Sequence, residues 1–288
     1  MRGVAAVLLL VGTAPAMAAM AGALRFGYCD AFAPDFTTKA FSPFVRALSS
    51  ASGLDLVIFE STDRRQVLEA MLSGKVAVAL CGPAEYVVLR ANMPNLRLIA
   101  AATRIDYFSS LVVLQSSAYH TLVDLRGRRV GFGGEGSTST HLGAAKVLAD
   151  AGLLPGSAYA FIHFPVRSEG FLSLIDGRID ALALAHEHLR TFRERYPDVP
   201  VRVVGRGFDL PPDVLIAAPD LPPRDTARLV KALSGNASEL HEALTETEEN
   251  RKYAGGVLTA DVSDREFNTV RDMYRVIRRR TFTEFVGR

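Results

Sequence analysis

The chain has 288 residues, 49% hydrophobic and 22% charged, so it can bury a large core, and its length suits two domains. Its formal net charge is only +2, and its one basic run, at 278–280, reads as the solvated end of a C-terminal helix. Nucleic acid is thereby excluded as the main partner, because neutralising phosphates takes a clustered basic face.

Residues 1–21, MRGVAAVLLLVGTAPAMAAMA, carry one positive residue, an apolar run over 4–11 and the A-x-A pattern Ala16-Met17-Ala18. This is the pattern of a secretory signal peptide, and its apolar run is too short for a permanent membrane span. Cleavage is expected near 19–22, releasing the chain into an exported, aqueous compartment. No cysteine stands there to carry a lipid anchor. The chain's two cysteines are Cys29 and Cys81. An oxidising compartment permits a disulfide between them, and parallel neighbouring strands would set the sulfurs side by side. Two buried thiols satisfy the sequence equally.

Strands are expected at 24–28, 54–59, 76–80 and 96–102, alternating with helices at 41–52, 63–72 and 83–91. Such alternation predicts a largely parallel sheet with helices on both faces. Ligands collect at the carboxyl ends of such strands, here the segments 29–36, 60–65, 81–86 and 103–108. A long strand at 109–115 opens a second series: strands at 128–132, 159–164, 179–184 and 201–205, helices at 138–151, 167–176 and 186–196. After an extended stretch at 209–217, stiffened by Pro211-Pro212, the pattern is helical over 224–234, 237–246 and 264–280. Those last helices have no strands of their own, so they should pack back onto the first unit. The expected plan is a leader at 1–21, a first lobe at 22–105, an inserted lobe at 106–207 and a return to the first lobe at 208–288. Two crossover strands would form the hinge.

The most informative stretch is 128–151, RRVGFGGEGSTSTHLGAAKVLADA, which places a strand, a glycine-rich turn and a helix start in succession. A helix start attracts anions because its first amides have no partner within the helix and the macrodipole is positive there. Ser137, Thr138 and Ser139 add three hydroxyls at that spot, either as an N-cap with solvated neighbours or as ligands for an oxyanion. The spacing fits neither nucleotide-binding loop, G-x-x-x-x-G-K-[ST] or G-x-G-x-x-G.

Several separated segments together give a family resemblance: GYCDAF and FSPF, GKVAVALCGPAEYV, DYFSSLVV, DLRGRRVGFGGEGSTST and DGRIDALAL. In their order and spacing the chain resembles a periplasmic substrate-binding protein of the phosphonate/phosphite/phosphate type that serves ABC transporters. The resemblance implies an α/β fold of the type II periplasmic binding protein class, two βα lobes with a two-strand hinge and the ligand cleft between them. It also implies a monomer in the periplasm that binds a small anion without turning it over, uses no cofactor, and meets a permease in the inner membrane.

Residue by residue, the family's Ser-Thr-Ser anion grip is matched by Ser137, Thr138 and Ser139. The glycine that usually follows is Thr140, and the Asp-Pro that usually precedes is Gly134-Glu135. An aromatic at the hinge side of the pocket is matched by Tyr107, with simple packing as its other reading. A family tyrosine falls on Arg64 and a family histidine on Arg167. An arginine fork can hold a tetrahedral oxyanion through two parallel hydrogen bonds, or it can mark a shift to another anion, or a solvated helix end. Glu187 and Asp213 match acidic positions that face the ammonium end of aminophosphonates, which makes an amine-tailed ligand one expectation. Tyr86 is expected to support the pocket or pack beneath it. No metal is expected, since His186 and His188 are only two apart and nothing completes a set.

Two other functions fit less of the pattern. One is an extracytoplasmic sensor of the same fold that binds a different small anion. The other is a hydrolase using Ser137 as nucleophile and His141 as base, for which no third group is placed to orient the imidazole.

Overall fold

The strand and helix alternation builds two separate sheets. β1 (Leu24–Cys29), α1 (Phe36–Ser52), β2 (Leu56–Phe59), α2 (Arg64–Leu72), β3 (Val78–Cys81), α3 (Pro83–Asn92) and β4 (Arg97–Ala102) come first. β5 (Phe108–Leu114), β6 (Arg129–Phe132), α4 (Ala144–Asp150), β7 (Ala160–His163), α5 (Arg167–Ile175), β8 (Ala181–Ala185), α6 (His186–Arg195) and β9 (Val201–Asp209) follow. The chain then returns through β10 (Asp213–Ala217), α7 (Pro223–Gly235), α8 (Ala237–Thr245), β11 (Leu258–Thr259) and α9 (Asn268–Val276). This computed structural model describes residues 22–29, 34–277 and 281–287, so the expected leader and the arginines at 278–280 lie outside the described residues.

One sheet has the order β11-β4-β10-β3-β1-β2 and the other β7-β6-β8-β5-β9. Both are mixed rather than largely parallel. β10 inserts antiparallel between β3 and β4, and β5 lies antiparallel between β8 and β9. The strands that carry the chain between sheets therefore sit inside them, which ties each crossover into a hydrogen-bonded ladder.

Apolar side chains alternate to both faces of each sheet, and each face has its own core. Under α1, α7 and α8 lie Phe26, Phe41, Phe44, Leu48 and Leu233, all essentially without solvent exposure. The opposite face packs Val67, Val88, Leu89 and Phe267. In the second lobe one face holds Leu111, Val130, Phe132 and Leu148, and the other Val112, Phe171, Leu184 and Phe192.

Three elements differ from expectation for physical reasons. α1 begins at Phe36, not residue 41, so that Pro43 lies inside the helix; Glu60 Oε1 accepts from the otherwise unpaired Thr38 amide at 2.6 Å near its start. The last helix begins as a 3-10 turn at Asp264–Phe267 before becoming α9. It does not pack on the first lobe alone: α9 touches both α3 and the turn that leads into α4, and Val276 and Ile277 reach the second lobe's core.

Cys29 and Cys81 are paired in register on the neighbouring parallel strands β1 and β3, as the sequence suggested. They are not joined by a disulfide. Both are buried thiols, the Cys29 Sγ donating to the Arg64 carbonyl and the Cys81 Sγ to that of Val214, each at 3.6 Å. Burial, then the neighbouring Cys29, raises the Cys81 thiol well above its ordinary value.

Candidate ligand-binding cleft

The helix start at Ser137 is not a regular α-turn. Ser137 caps it, and its carbonyl accepts from both His141 (3.2 Å) and Leu142 (2.9 Å), which opens a π turn over Thr138–Gly143 before α4 continues. The amides of Thr138 and Ser139, first in that turn, find no acceptor among the described residues. Two glycines shape the approach. Gly136 has φ +81°, and a β-carbon there would meet the Val286 carbonyl at 2.5 Å and Arg64 Nη1 at 2.6 Å. A β-carbon on Gly133 would strike Thr140 Oγ1 at 2.1 Å.

The three hydroxyls have different occupations. Ser137 Oγ accepts from the Thr140 amide (3.3 Å) and from Thr140 Oγ1 (2.8 Å), so it is a true N-cap whose own proton remains to donate. Thr140, which stands where the family has glycine, thus orients Ser137. Thr138 Oγ1 accepts from the Ala84 amide of α3 at 3.0 Å, a bond that crosses between the lobes. Ser139 is buried and lines the cleft, its carbonyl held by Ser109 Oγ at 2.7 Å.

These groups open on a cavity of about 710 Å³ between the lobes, also lined by Tyr107, Arg64, Arg167 and Glu187. Seven of the eight expected ligand-binding residues therefore converge. Tyr107 is 6% exposed, with the Arg104 guanidinium over its ring at 4.2 Å; burial raises its phenol. Arg64 is not an open fork. Its Nη1 meets Glu85 Oε1 at 3.2 Å and its Nη2 donates to the Glu135 carbonyl at 3.1 Å, bridging the lobes at the cleft mouth. Arg167 lines the cleft at the start of α5 and makes no hydrogen bond or ion pair among the described residues.

Asp213 is the exception. It is fully buried and does not line the cleft. Its Oδ2 accepts from Arg104, from Lys252 Nζ at 3.1 Å and from the Tyr253 hydroxyl at 2.6 Å. Burial alone would raise this carboxyl, but Arg104, Lys252 and Tyr253 hold it below the ordinary carboxylate value. Asp213 therefore positions Arg104 and Lys252, which do line the cleft, and the expected two-acid cradle for an ammonium is not formed. Glu187 remains in the cleft; burial would raise it, but His188, Arg104 and Lys252 draw it down. Tyr86 lies outside the lining, donating to Asp264 Oδ1 at 2.8 Å and resting on Phe267 at 4.4 Å.

The nucleophile-and-base arrangement is not present. His141 Nδ1 accepts from the Gly136 amide at 2.9 Å, while the Ser137 hydroxyl is engaged with Thr140. Burial, then His163 and Arg64, lowers the His141 imidazole to about 3 from an ordinary 6.5. His188 is likewise lowered to about 3, by burial and then Arg167. Both are neutral in the folded chain and protonate readily in the unfolded one. The unfolded state then binds more protons between pH 6.5 and 3, so stability falls as the pH drops through that window. The expected slope is about 1.4 kcal/mol per pH unit for each histidine. Urea denaturation as a function of pH should show it, and His141→Gln, which keeps an acceptor for Gly136, should remove one of the two contributions.

Among the described residues no group of three or more His, Cys, Asp or Glu is placed to hold a metal ion, and no helix is long and apolar enough to cross a membrane.

Two mixed sheets joined by two crossovers, with a helix start facing the gap between them, define the two-lobed fold of type II periplasmic binding proteins. A model of the family described as "ABC transporter, phosphonate, periplasmic substrate-binding protein" matches residues 26–257. The chain belongs to that family, the phosphonate-binding periplasmic component of ABC transporters. Among solved structures, a binding-protein component of an ABC phosphonate transporter from Pseudomonas aeruginosa is similar at TM-score 0.64 and 17% identity, over 87% of this chain and 85% of that one. PhnD1 from Prochlorococcus marinus, in complex with methylphosphonate, matches at TM-score 0.66 and 17% identity, over 89% and 98%. A Xanthomonas citri protein bound to ATP matches at TM-score 0.70 and 16% identity, over 89% and 97%. At such identities the likeness is one of fold.

Proposed function

We propose that the chain holds the oxyanion head of a small phosphonate-type solute at the start of the π turn and presents it unchanged to an inner-membrane permease. The observation that carries this reading is the pair of amides at Thr138 and Ser139 without an acceptor among the described residues, flanked by the Ser137 and Ser139 hydroxyls and facing the interlobe cavity. Arg167 supplies a cation without a protein partner among the described residues, and Tyr107 supplies a phenol. The chain acts as a monomer, with lobes at 22–105 plus 208–288 and at 106–207 that close by bending at 103–111 and 206–216. Residues 1–21 direct export and are removed. The cleft binds without catalysis, since Ser137 is committed as a cap and His141 is turned to Gly136.

The amine-tailed alternative loses Asp213, and Glu187 already faces Arg104, Lys252 and His188. 2-Aminoethylphosphonate is therefore expected to bind no more tightly than ethylphosphonate, a comparison for calorimetry.

A thermal-shift screen of phosphate, phosphite, alkylphosphonates, sulfonates and ATP tests the reading. A ligand at 100 times its Kd stabilises by about 2.7 kcal/mol, a rise of several degrees. Phosphonates should give that rise, with phosphorus NMR showing them unchanged after incubation. A response to sulfonates or ATP with none to phosphonates would overturn the assignment.

A further inference from the structure

A second cavity, of about 190 Å³, opens from the cleft beneath the Ser137 cap. It shares Gly134, Ser137, Pro165, Arg167 and His188 with the main cleft, so the two spaces meet at the anion-seeking helix start. Beyond that junction its walls are mainly apolar: Phe132, Phe164, Leu182 and Leu184, with the backbone of Gly133 and Gly170. Phe132, Leu182 and Leu184 belong to the second lobe's core and are almost wholly buried.

Space beside core side chains that a larger residue could fill costs packing contacts, so leaving it open to the cleft calls for a reason. Gly170 sits within α5, where alanine is the better helix former. A β-carbon there would lie 3.2 Å from Leu182 Cδ1 and 3.5 Å from Phe164, intruding between two of the chamber's walls. The glycine keeps the chamber open. The main cleft, by contrast, carries the charged side chains of Arg64, Glu85, Arg104, Glu187 and Lys252 among its walls.

We propose that this side chamber receives the carbon substituent of the bound organophosphonate, so that the preferred ligand carries an apolar group of several carbons beside its anionic head. The inference rests on the reading of Thr138 and Ser139 as the head site, and it names the ligand class that site selects. The junction adds a polar feature. His188 Nδ1 is buried there without a hydrogen-bond partner among the described residues. A hydroxyl or amine on the carbon next to phosphorus would give it one.

Calorimetric titration of the full chain with methyl-, propyl- and butylphosphonate tests this. Each added methylene should tighten Kd about fourfold, making butylphosphonate about sixtyfold tighter than methylphosphonate. Gly170→Ala, and more strongly Gly170→Val, should drive the butyl-to-methyl affinity ratio toward one, with melting curves confirming that both variants fold. Should methylphosphonate bind, and weaken in Ser139→Ala, while the wild-type series is flat or falls with chain length, the chamber is rejected and the head site stands. No heat with any phosphonate would reject both.

Discussion

Replacing Ser137, Thr138 and Ser139 together by alanine is expected to weaken phosphonate binding by on the order of a thousandfold or more. A hydrogen bond to a charged group contributes about 1.5–3 kcal/mol; those of Ser137 and Ser139 are removed together with the Thr138–Ala84 bond between the lobes, while the two backbone amides remain. The single variants separate binding from stability. Ser139→Ala should cost about tenfold or more in affinity with little change in melting, because its hydroxyl makes no hydrogen bond among the described residues and the Ser109 bond goes to its carbonyl. Ser137→Ala also removes the cap on Thr140 and should destabilise by about 0.5–2 kcal/mol. Thr138→Ala breaks the bond from the Ala84 amide and should loosen lobe closure as well. Calorimetry beside urea denaturation distinguishes the three.

The second large effect is expected at Asp213, away from the ligand. Removing its carboxylate leaves Arg104 and Lys252 facing each other with their shared counter-charge gone, and breaking a buried pair costs about 3–5 kcal/mol. Asp213→Ala should show that loss at neutral pH in urea denaturation. The sign with pH follows from the carboxyl being held below its ordinary 3.8 in the folded chain. Its stabilisation is fully present above the unfolded value and disappears as pH falls through the folded one, so the variant and wild type should converge only in strong acid. The His141 contribution begins near pH 6.5 and comes from burial, His163 and Arg64, so Asp213→Ala should retain it. Asp213→Asn, which keeps the shape without the charge, separates lost charge from lost packing.

How far the sequence reaches depends on how local each determinant is. The helix start was legible because glycines, hydroxyls and helix formers follow one another within a dozen residues. The π turn was not, since it depends on the Ser137 carbonyl accepting from Leu142 as well as His141. Strand and helix alternation was visible, but the antiparallel insertion of β10 between β3 and β4 is a choice among distant strands.

The site divides in the same way. Arg104, Glu85 and Tyr28 line the cleft from strand ends or just beyond them, and two of those three lie in segments the strand-end rule picked out. Nothing in those segments distinguished a cleft residue from a solvated one. Lys252 carries no local signal at all, because a 3-10 turn near the carboxyl terminus brings it to Tyr28 and Asp213. Asp213 was misread for the complementary reason. Its match to a family acid suggested a cleft carboxylate, whereas Arg104, Lys252 and Tyr253, between 39 and 109 residues away, turn it into an internal counter-charge. The side chamber depends on the absence of one methyl group at Gly170, which composition and periodicity do not report.

A crystal structure of the full chain grown with methylphosphonate tests the central claim most directly. Phosphonate oxygens are expected within about 3 Å of the Thr138 and Ser139 amides and the Ser139 hydroxyl, with the lobes closed over them. Phosphonate density resting on Arg104 and Lys252 instead, with only water at those amides, would contradict it.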